Sequence, residues 1–238
     1  QTCALPILQP LLSIIVPVYN EEATIGSVLD RLLGIPFPMP IEIIAVNDGS
    51  KDGTRQALDA AAARSPLVTA VHQERNGGKG VALRTGFART RGTIVAIQDA
   101  DLELDPAQLL TLIEPIIQDR ADVVYGSRFM GDTSHVPVMS RLGNMALTMA
   151  TNVLYGTKLT DMETCYKIMR TDVARSLDLT ADRFDIEPEI TAKLLRAGHR
   201  IAELPVRFSP RSRASGKKIG WKDGVAAVVT LVKYRFSR

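Results

Sequence analysis

Apolar residues in the first half of the chain follow two alternating patterns. Short runs rich in β-branched residues predict buried strands, and Ser13–Val18 is the first of them. Apolar positions then repeat at helical spacing from Ile25 to Leu33, with Thr24 as the expected N-cap and Gly34 just past the end. The pattern therefore predicts a strand followed by an amphipathic helix.

The same alternation continues for about a hundred residues. The predicted strands are Ile41–Val46, Val68–His72, Thr93–Ile97 and Val123–Tyr125, and the predicted helices lie near Thr54–Arg64, Val81–Thr90 and Ala107–Asp119. Strands that alternate with helices over short connections are typical of an α/β fold with a mostly parallel sheet and right-handed crossovers. Because no repeat or low-complexity linker interrupts the pattern, we expect residues 8–238 to form a single domain with halves 8–128 and 129–238.

Composition places the chain among globular proteins. Of its 238 residues 45% are apolar and 23% are charged, which excludes a disordered chain. No apolar run reaches the 18 or more residues of a typical membrane-spanning helix. Gln1–Ile7 begins without Met, and we expect it to be a non-native leader. Cys165 is then the one native cysteine, which suits a reducing cytoplasm.

The net charge of +3 conceals an asymmetry along the chain. Pro205–Arg238 contains nine basic residues and one acidic residue, whereas the preceding residues contain more acids than bases. A basic end behind an acidic body predicts an anionic partner. Nucleic acid, anionic lipid and phosphate ligands all fit the charge alone.

Polar side chains follow four of the predicted strands. They stand in the segments Tyr19-Asn20-Glu21-Glu22, Asn47-Asp48-Gly49-Ser50, Asn76-Gly77-Gly78-Lys79-Gly80 and Gln98-Asp99-Ala100-Asp101. In an open α/β sheet, ligands bind beyond the carboxyl ends of the strands. The clustering therefore predicts a ligand site at that edge.

Asp99 and Asp101 have the spacing of a cation site. Residues i and i+2 of an extended segment project to the same side, and carboxylate oxygens suit Mg²⁺ or Mn²⁺. Glu103 follows two residues later. The alternative is a solvated acidic turn, which the pattern alone leaves open.

Two glycine-containing segments each allow more than one interpretation. Asp48–Gly53 superficially fits the start of an EF-hand loop, but a strand precedes it and Asp59 stands at the twelfth position instead of Glu. A turn that places Asp48 for a base or ribose is the better interpretation. Asn76–Gly80, before a helix, is either a phosphate cradle or a plain turn.

Eight motifs in order identify a family resemblance. They are PVYNEE at 17–22, AVNDGSKDGT at 45–54, NGGKGVALRTGF at 76–87, QDADLELDP at 98–106, YGSRF at 125–129, TDMETCYKIMR at 160–170, RFDIEPEI at 183–190 and ELPVRFSPRSRASGKKIGWKDG at 203–224. The chain resembles the inverting family-2 glycosyltransferases, which have the GT-A (Rossmann-like) fold. Within them it is similar to polyprenyl-phosphate sugar transferases, such as dolichol-phosphate mannose and glucose synthases.

The resemblance implies roles for particular residues. Pro17, Tyr19, Glu21, Asp48, Lys79 and Asp99 would bind the nucleotide-sugar donor; Asp99, Asp101 and Glu103 would hold Mg²⁺ or Mn²⁺; and Arg128, Arg141, Arg211, Arg213 and Lys217 would meet the acceptor phosphate. Asp101, Arg128 and Asp161 would be the catalytic residues, and Glu163, Glu187 and Glu189 would shape the sugar and acceptor pocket. Glu103 departs from the mannose synthases, which commonly have Gln there.

The implied reaction needs no strong base, because a phosphate acceptor is already anionic at neutral pH. A sugar-hydroxyl acceptor would require one, and Asp161 or Glu163 would then serve. Two other functions remain open: transfer to a soluble or glycan acceptor, and non-catalytic binding of a nucleotide sugar or lipid phosphate. The chain has few aromatic residues and no recognised nucleic-acid module, so we expect no nucleic-acid partner. The sequence does not indicate an oligomeric state.

Two segments of the second half bear on a membrane. Leu142, Met145, Met149 and Val153 recur at helical spacing, either as a core-facing stripe or as a face at the bilayer surface. Trp221–Arg238 predicts a basic amphipathic C-terminal helix that would attract anionic lipid. The resemblance thus implies a cytoplasmic protein at the inner face of the membrane, either peripheral or truncated before a membrane segment.

Overall fold

The computed structural model describes residues 10–131, 133, 136–210 and 221–237. The expected leader, residues 1–7, lies outside them. The strands are β1 Leu12–Val18, β2 Ile41–Asn47, β3 Val68–His72, β4 Ile94–Ile97, β5 Val123–Ser127, β6 Lys167–Arg170 and β7 Ile201–Pro205. The helices are α1 Ile25–Gly34, α2 Thr54–Arg64, α3 Lys79–Phe87, α4 Leu109–Ile117, α5 Val138–Tyr155, α6 Thr171–Ser176, α7 Ile186–Arg196 and α8 Trp221–Phe236.

The seven strands form one sheet in the order β3-β2-β1-β4-β6-β5-β7. Strands β1 to β4 pair in parallel, as do β5 and β7, whereas β6 is antiparallel to both of its neighbours. The predicted mostly parallel sheet flanked by helices is confirmed. Because β6 reverses direction, β4 and β5 run the same way, and their carboxyl ends lie at one edge of the sheet.

Alternation along β1 explains why both faces of the sheet are covered. Ile14 and Val16 belong to one buried cluster, whereas Ile15 belongs to another, because successive side chains of a strand point to opposite faces. Helices α1 and α4 contribute to the first cluster, and α3 and α7 contribute to the second. The sheet is thus buried on both sides, as the continuous apolar runs predicted.

The predicted elements of the first half are present with small shifts at their ends. Thr24 occupies the N-cap position of α1, but its hydroxyl donates to Glu21 Oε2 at 2.9 Å and makes no capping bond. Helix α3 begins two residues earlier than predicted. A 3₁₀ turn, Pro106–Gln108, replaces the start of the predicted fourth helix.

The exposure of side chains on α5 distinguishes the two interpretations of its apolar stripe. Leu142, Met145, Met149 and Val153 are 53%, 51%, 68% and 75% exposed. A core-facing stripe is therefore wrong. The buried positions of α5 are Asn144, Thr148 and Thr151.

The C-terminal helix is present as α8, which packs against α5 and α7. Tyr155 of α5 donates its hydroxyl to the carbonyl of Leu231 at 2.7 Å, and Tyr234 of α8 donates to Glu189 of α7 at 2.6 Å. Among the described residues, no helix is both long and apolar enough to cross a membrane.

Candidate active site

Chemistry-bearing side chains collect where parallel strands end. Tyr19 follows β1, Asp48 follows β2, Asp99 lies two residues past β4, and Arg128 follows β5. Because these four strands run in the same direction, the residues share one edge of the sheet. This is the edge at which open α/β sheets bind ligands.

Asp48 is held by the loop that precedes α3. Its carboxylate accepts hydrogen bonds from Asn76 Nδ2 at 2.8 Å, from the Gly77 amide at 2.7 Å and from the Gly78 amide at 2.8 Å. Burial raises the pKa of Asp48, although these amides and Arg183 oppose the shift. The amides of Gly77 and Gly78 are thus committed to a carboxylate of the protein, which weakens the interpretation of the loop as a phosphate cradle.

Gly78 shows why the loop has this sequence. Its φ of +103° is a conformation that residues with a Cβ rarely adopt, and a Cβ there would lie 2.4 Å from the Asp182 carbonyl oxygen. The bend directs successive amides at Asp48 and then starts α3 at Lys79.

Lys79 and Asp99 form the centre of a buried charge cluster. Lys79 Nζ lies 2.9 Å from Asp99 Oδ1 and 2.9 Å from Glu187 Oε1, and Lys167 pairs with the other oxygen of Glu187. Burial alone would lower the pKa of Lys79, but Asp99 and Glu187 raise it well above its ordinary value. Lys79 is therefore protonated, and Asp99 and Glu187 are ionised, at neutral pH.

The loop after β4 is fixed by Gln98. Gln98 Oε1 accepts a hydrogen bond from the Tyr166 hydroxyl at 2.7 Å, and its Nε2 donates to the carbonyls of Asp99 and Leu104. The Glu103 amide donates to Asp101 Oδ1 at 3.1 Å. The segment that carries the acidic residues is thus tied to the core at both ends.

The acidic residues of this loop provide the right chemistry for a divalent cation, but not a complete ligand set. In the described part of the chain, no three His, Cys, Asp or Glu side chains are grouped so as to hold a metal ion. Asp99 keeps 28% of its side chain exposed, and Asp101 is only partly buried. Their oxygens fit Mg²⁺ or Mn²⁺, which commonly take one or two carboxylates and complete the shell with substrate phosphates and water.

Arg128 is clamped by Asp161. Its Nε donates to Asp161 Oδ2 at 2.7 Å, its Nη2 donates to Oδ1 at 2.8 Å, and its own amide donates to Oδ2 at 3.0 Å. Asp161 has no exposed surface, whereas the Arg128 side chain is 19% exposed. The guanidinium also lies over the rings of Phe129 and Phe208, at 5.6 and 5.4 Å from their centroids.

Three further residues hold Asp161 in place. Asn144 Nδ2 donates to Asp161 Oδ1 at 3.1 Å, and the Thr148 hydroxyl donates to Asn144 Oδ1 at 3.1 Å. Glu203 of β7 accepts the Asp161 amide at 3.0 Å. The buried polar side of α5 therefore supports the Arg128–Asp161 pair.

Glu163 stands apart from these pairs. Its Oε1 is buried and accepts no hydrogen bond from the described residues. Burial raises its pKa to about 7; Lys167 opposes this shift and repulsion from Glu187 adds to it. A substantial part of Glu163 is therefore protonated at neutral pH.

The remaining predicted site residues are placed as follows. Pro17 lies in β1 and is partly buried, as are Tyr19 and Glu21 beyond it. The Glu21 amide donates a hydrogen bond to the Thr54 hydroxyl oxygen at 2.8 Å. Arg141 is exposed on the first turn of α5. Arg211, Arg213 and Lys217 lie outside the described residues.

Sequence reasoning missed Lys167, Glu203 and Asn144. A lysine between Tyr166 and Ile168 in an apolar run was a signal for a buried cation. The positions Asn144, Thr148 and Thr151 share one side of α5, opposite its apolar stripe, and that was the signal for a buried polar face. Glu203 had no such signal, because an acid in a short edge strand is ordinary.

Comparisons with known proteins show the family to which the chain is similar. The family model described as glycosyl transferase family 2 matches residues 13–178. An undecaprenyl-phosphate mannosyltransferase of Micrococcus luteus is 32% identical over 223 residues, covering 90% of each chain. A dodecaprenyl-phosphate galacturonate synthase of Rhizobium johnstonii is 25% identical over 215 residues, which cover 89% of this chain and 63% of that protein.

A solved structure shares the fold. Glucosyl-3-phosphoglycerate synthase from Mycobacterium tuberculosis, in complex with Mn²⁺, UDP-glucose and phosphoglyceric acid, superposes with a TM-score of 0.71 at 22% identity. The match covers 95% of this chain and 80% of that one. At this identity the likeness concerns the GT-A fold.

Proposed function

The chain belongs to glycosyl transferase family 2 and is a glycosyltransferase, and we propose that it transfers a hexose from a nucleotide sugar to a polyprenyl phosphate with inversion at the anomeric carbon. The donors proposed are UDP-glucose and GDP-mannose. The observation that carries the proposal is the guanidinium of Arg128, clamped by buried Asp161 at the sheet edge that bears Asp99 and Asp101.

The donor would lie over the ends of β1, β2 and β4. Asp48 would receive the base or ribose, with Pro17, Tyr19 and Glu21 beside it. Lys79 is already committed to Asp99 and Glu187, so it would act by fixing the position of Asp99. In this role Lys79 would not bind a donor phosphate itself.

A divalent cation fits the donor side of the site. Asp99 and Asp101 would hold it, and Glu103 would add a third oxygen if the loop brought it near. When bound, Mg²⁺ or Mn²⁺ would neutralise the negative charge that develops on the leaving nucleoside diphosphate.

Arg128 would bind the acceptor phosphate. A guanidinium forms paired hydrogen bonds to phosphate oxygens, and its orientation here is fixed by Asp161. The acceptor oxygen would attack the anomeric carbon while the bond from that carbon to the diphosphate oxygen breaks. The product is a sugar on the lipid phosphate, and no proton has to be removed from an ionised acceptor.

Asp161 would act through Arg128 and not as a base. Both of its oxygens accept hydrogen bonds and it has no exposed surface. The arrangement thus favours an acceptor that is already ionised. A polyprenyl phosphate is such an acceptor, and it would place the protein at the inner, cytoplasmic face of a membrane.

A two-phase assay tests the proposal. Purified protein, Mn²⁺ or Mg²⁺ and undecaprenyl phosphate are incubated separately with radiolabelled UDP-glucose and with GDP-mannose. Label should enter the organic phase with one donor. Release of labelled sugar only into water, or transfer only to a soluble acceptor, would contradict the proposed acceptor.

A further inference from the structure

Helix α5 buries polar side chains and exposes apolar ones, the opposite of a helix packed on a core. The side chains that it buries are Asn144, Thr148 and Thr151, whereas Met145, Met149 and Val153 are at least half exposed. Surface helices of globular proteins normally bury the apolar stripe. An exposed apolar stripe with a polar inner side indicates that something outside the chain covers the stripe.

Helix α8, which packs against α5, also exposes apolar side chains. It packs on α5 through Leu231, and Arg235 Nε donates to the Leu154 carbonyl at 2.7 Å. Its other side exposes Val225, Val228, Val229, Val232 and Phe236, of which Phe236 is 72% exposed. We call these residues, together with the exposed Met139, Leu142, Met145, Met149 and Val153 of the neighbouring helix α5, the α5–α8 face.

The charges around the α5–α8 face are almost all positive. Val138–Tyr155 contains no acidic residue, and exposed Arg141 and Lys158 lie within it and just after it. On α8, Lys233 and Arg235 are exposed. An apolar face edged by bases complements a bilayer that contains anionic lipid, since bases near such a surface are attracted to its negative charge.

The inner side of α5 connects this face to the site. Asn144 and Thr148, on the buried side of the helix that exposes Met145 and Met149, support Asp161 and through it Arg128. Arg128 is therefore linked to α5 through one intervening side chain, that of Asp161. A lipid phosphate offers its phosphate at the membrane surface while its chain stays in the bilayer.

We propose that the α5–α8 face docks on an anionic lipid bilayer and thereby presents Arg128 to phosphates at the membrane surface. The second part rests on the proposed function, whereas docking itself does not. A second copy of the chain would not explain the basic edge, because two copies would bring like charges together.

Vesicle flotation tests the docking. The protein is mixed with vesicles of phosphatidylglycerol and phosphatidylcholine, or of phosphatidylcholine alone. The variant Met149→Glu/Val153→Glu alters two residues that are 68% and 75% exposed, so the fold should tolerate it. The control, Leu67→Glu/Ile117→Glu, introduces the same charge at two apolar residues that are 43% and 41% exposed elsewhere. Val229→Glu, 60% exposed, tests α8 independently.

The wild type and the control should float with the anionic vesicles. The α5 variant should bind at least tenfold less, and Val229→Glu should also bind less. Undiminished binding of the α5 variant would overturn the proposal. So would a wild type that is dimeric by sedimentation, becomes monomeric through the same substitutions and binds no vesicles.

Flotation needs no sugar donor, so it separates the two proposals. Binding that the α5 variant loses supports docking even if no sugar transfer is found with any donor. Conversely, a wild type that transfers sugar to a short-chain, detergent-soluble acceptor but binds no vesicles would overturn docking alone.

Discussion

Asp161 and Arg128 form a two-pronged ion pair, with Arg128 Nε 2.7 Å from Oδ2 and Nη2 2.8 Å from Oδ1, in which the acid is fully buried and the base reaches the surface. A buried carboxylate that also accepts from Asn144 fixes the plane of the guanidinium. The pair turns a flexible side chain into an oriented phosphate-binding group. This is the relationship on which the proposed acceptor site depends.

Arg128→Lys should impair transfer because an ammonium cannot make the paired hydrogen bonds to Asp161 and keep its orientation. We expect kcat/KM for the lipid acceptor to fall at least tenfold, corresponding to about 1.4 kcal/mol or more of transition-state stabilisation. Steady-state kinetics with varied acceptor measures it. Arg64→Lys, in a largely exposed pair with Asp30, is the matched control and should keep normal rates.

Asp101→Asn should abolish transfer while leaving the protein folded, because the amide has lost the charge with which the acid would hold a divalent cation. We expect a loss of about a hundredfold or more, together with weaker Mn²⁺ binding in the presence of nucleoside diphosphate. Activity assays and Mn²⁺ titration monitored by electron paramagnetic resonance measure the two effects. Asp30→Asn, at an exposed acid, is the control. Retained activity in Asp101→Asn would refute the metal site.

Glu163→Gln should change how stability depends on pH. The folded pKa of about 7 exceeds the ordinary 4.5, so the wild type loses stability as the pH rises from about 4.5 through 7, and the neutral amide does not. Relative to the wild type, the variant should gain about 1–3 kcal/mol in the free energy of unfolding between pH 5 and pH 8. Urea denaturation at both pH values measures the gain. If the free energies of unfolding of variant and wild type differ by the same amount at pH 5 and pH 8, Glu163 is ionised at both pH values.

Two helix glycines offer a matched test of the packing under the site. A Cβ at Gly86 of α3 would lie 2.4 Å from Ile15 Cγ2, whereas a Cβ at Gly26 of α1 would meet nothing within 4 Å. Gly86→Ala should destabilise the protein by about 1–3 kcal/mol through overpacking. Gly26→Ala should stabilise it by about 0.5–1 kcal/mol through helix propensity. Thermal unfolding of both variants measures this, and equal effects would mean that α3 can move away from β1.

The fold could be predicted from sequence wherever burial leaves a regular pattern. The run Ser13–Val18 is apolar because β1 is covered on both faces, and helical spacing from Ile25 marks the side of α1 that meets the core. The same reasoning left two interpretations of the stripe on α5 open. Periodicity reports that Met145 and Met149 share a side of the helix, but it cannot report whether the chain or another surface covers that side.

The candidate site was predictable where residues cluster at strand ends. Asp48 and Asp99 follow predicted strands, so their approach to one edge follows from the topology. The partners of these acids could not be predicted. Lys167 reaches Glu187 because antiparallel β6 inserts between β4 and β5, and no local pattern specified that pairing.

Two acceptors that differ only in the phosphate show whether Arg128 recognises that phosphate. Undecaprenyl phosphate and undecaprenol are each offered to the wild type and to Arg128→Gln with the donor that proves active, and label in the organic phase is measured. We expect label in the organic phase only when the wild type is given undecaprenyl phosphate. Equal label with undecaprenol, or full activity of Arg128→Gln, would contradict it.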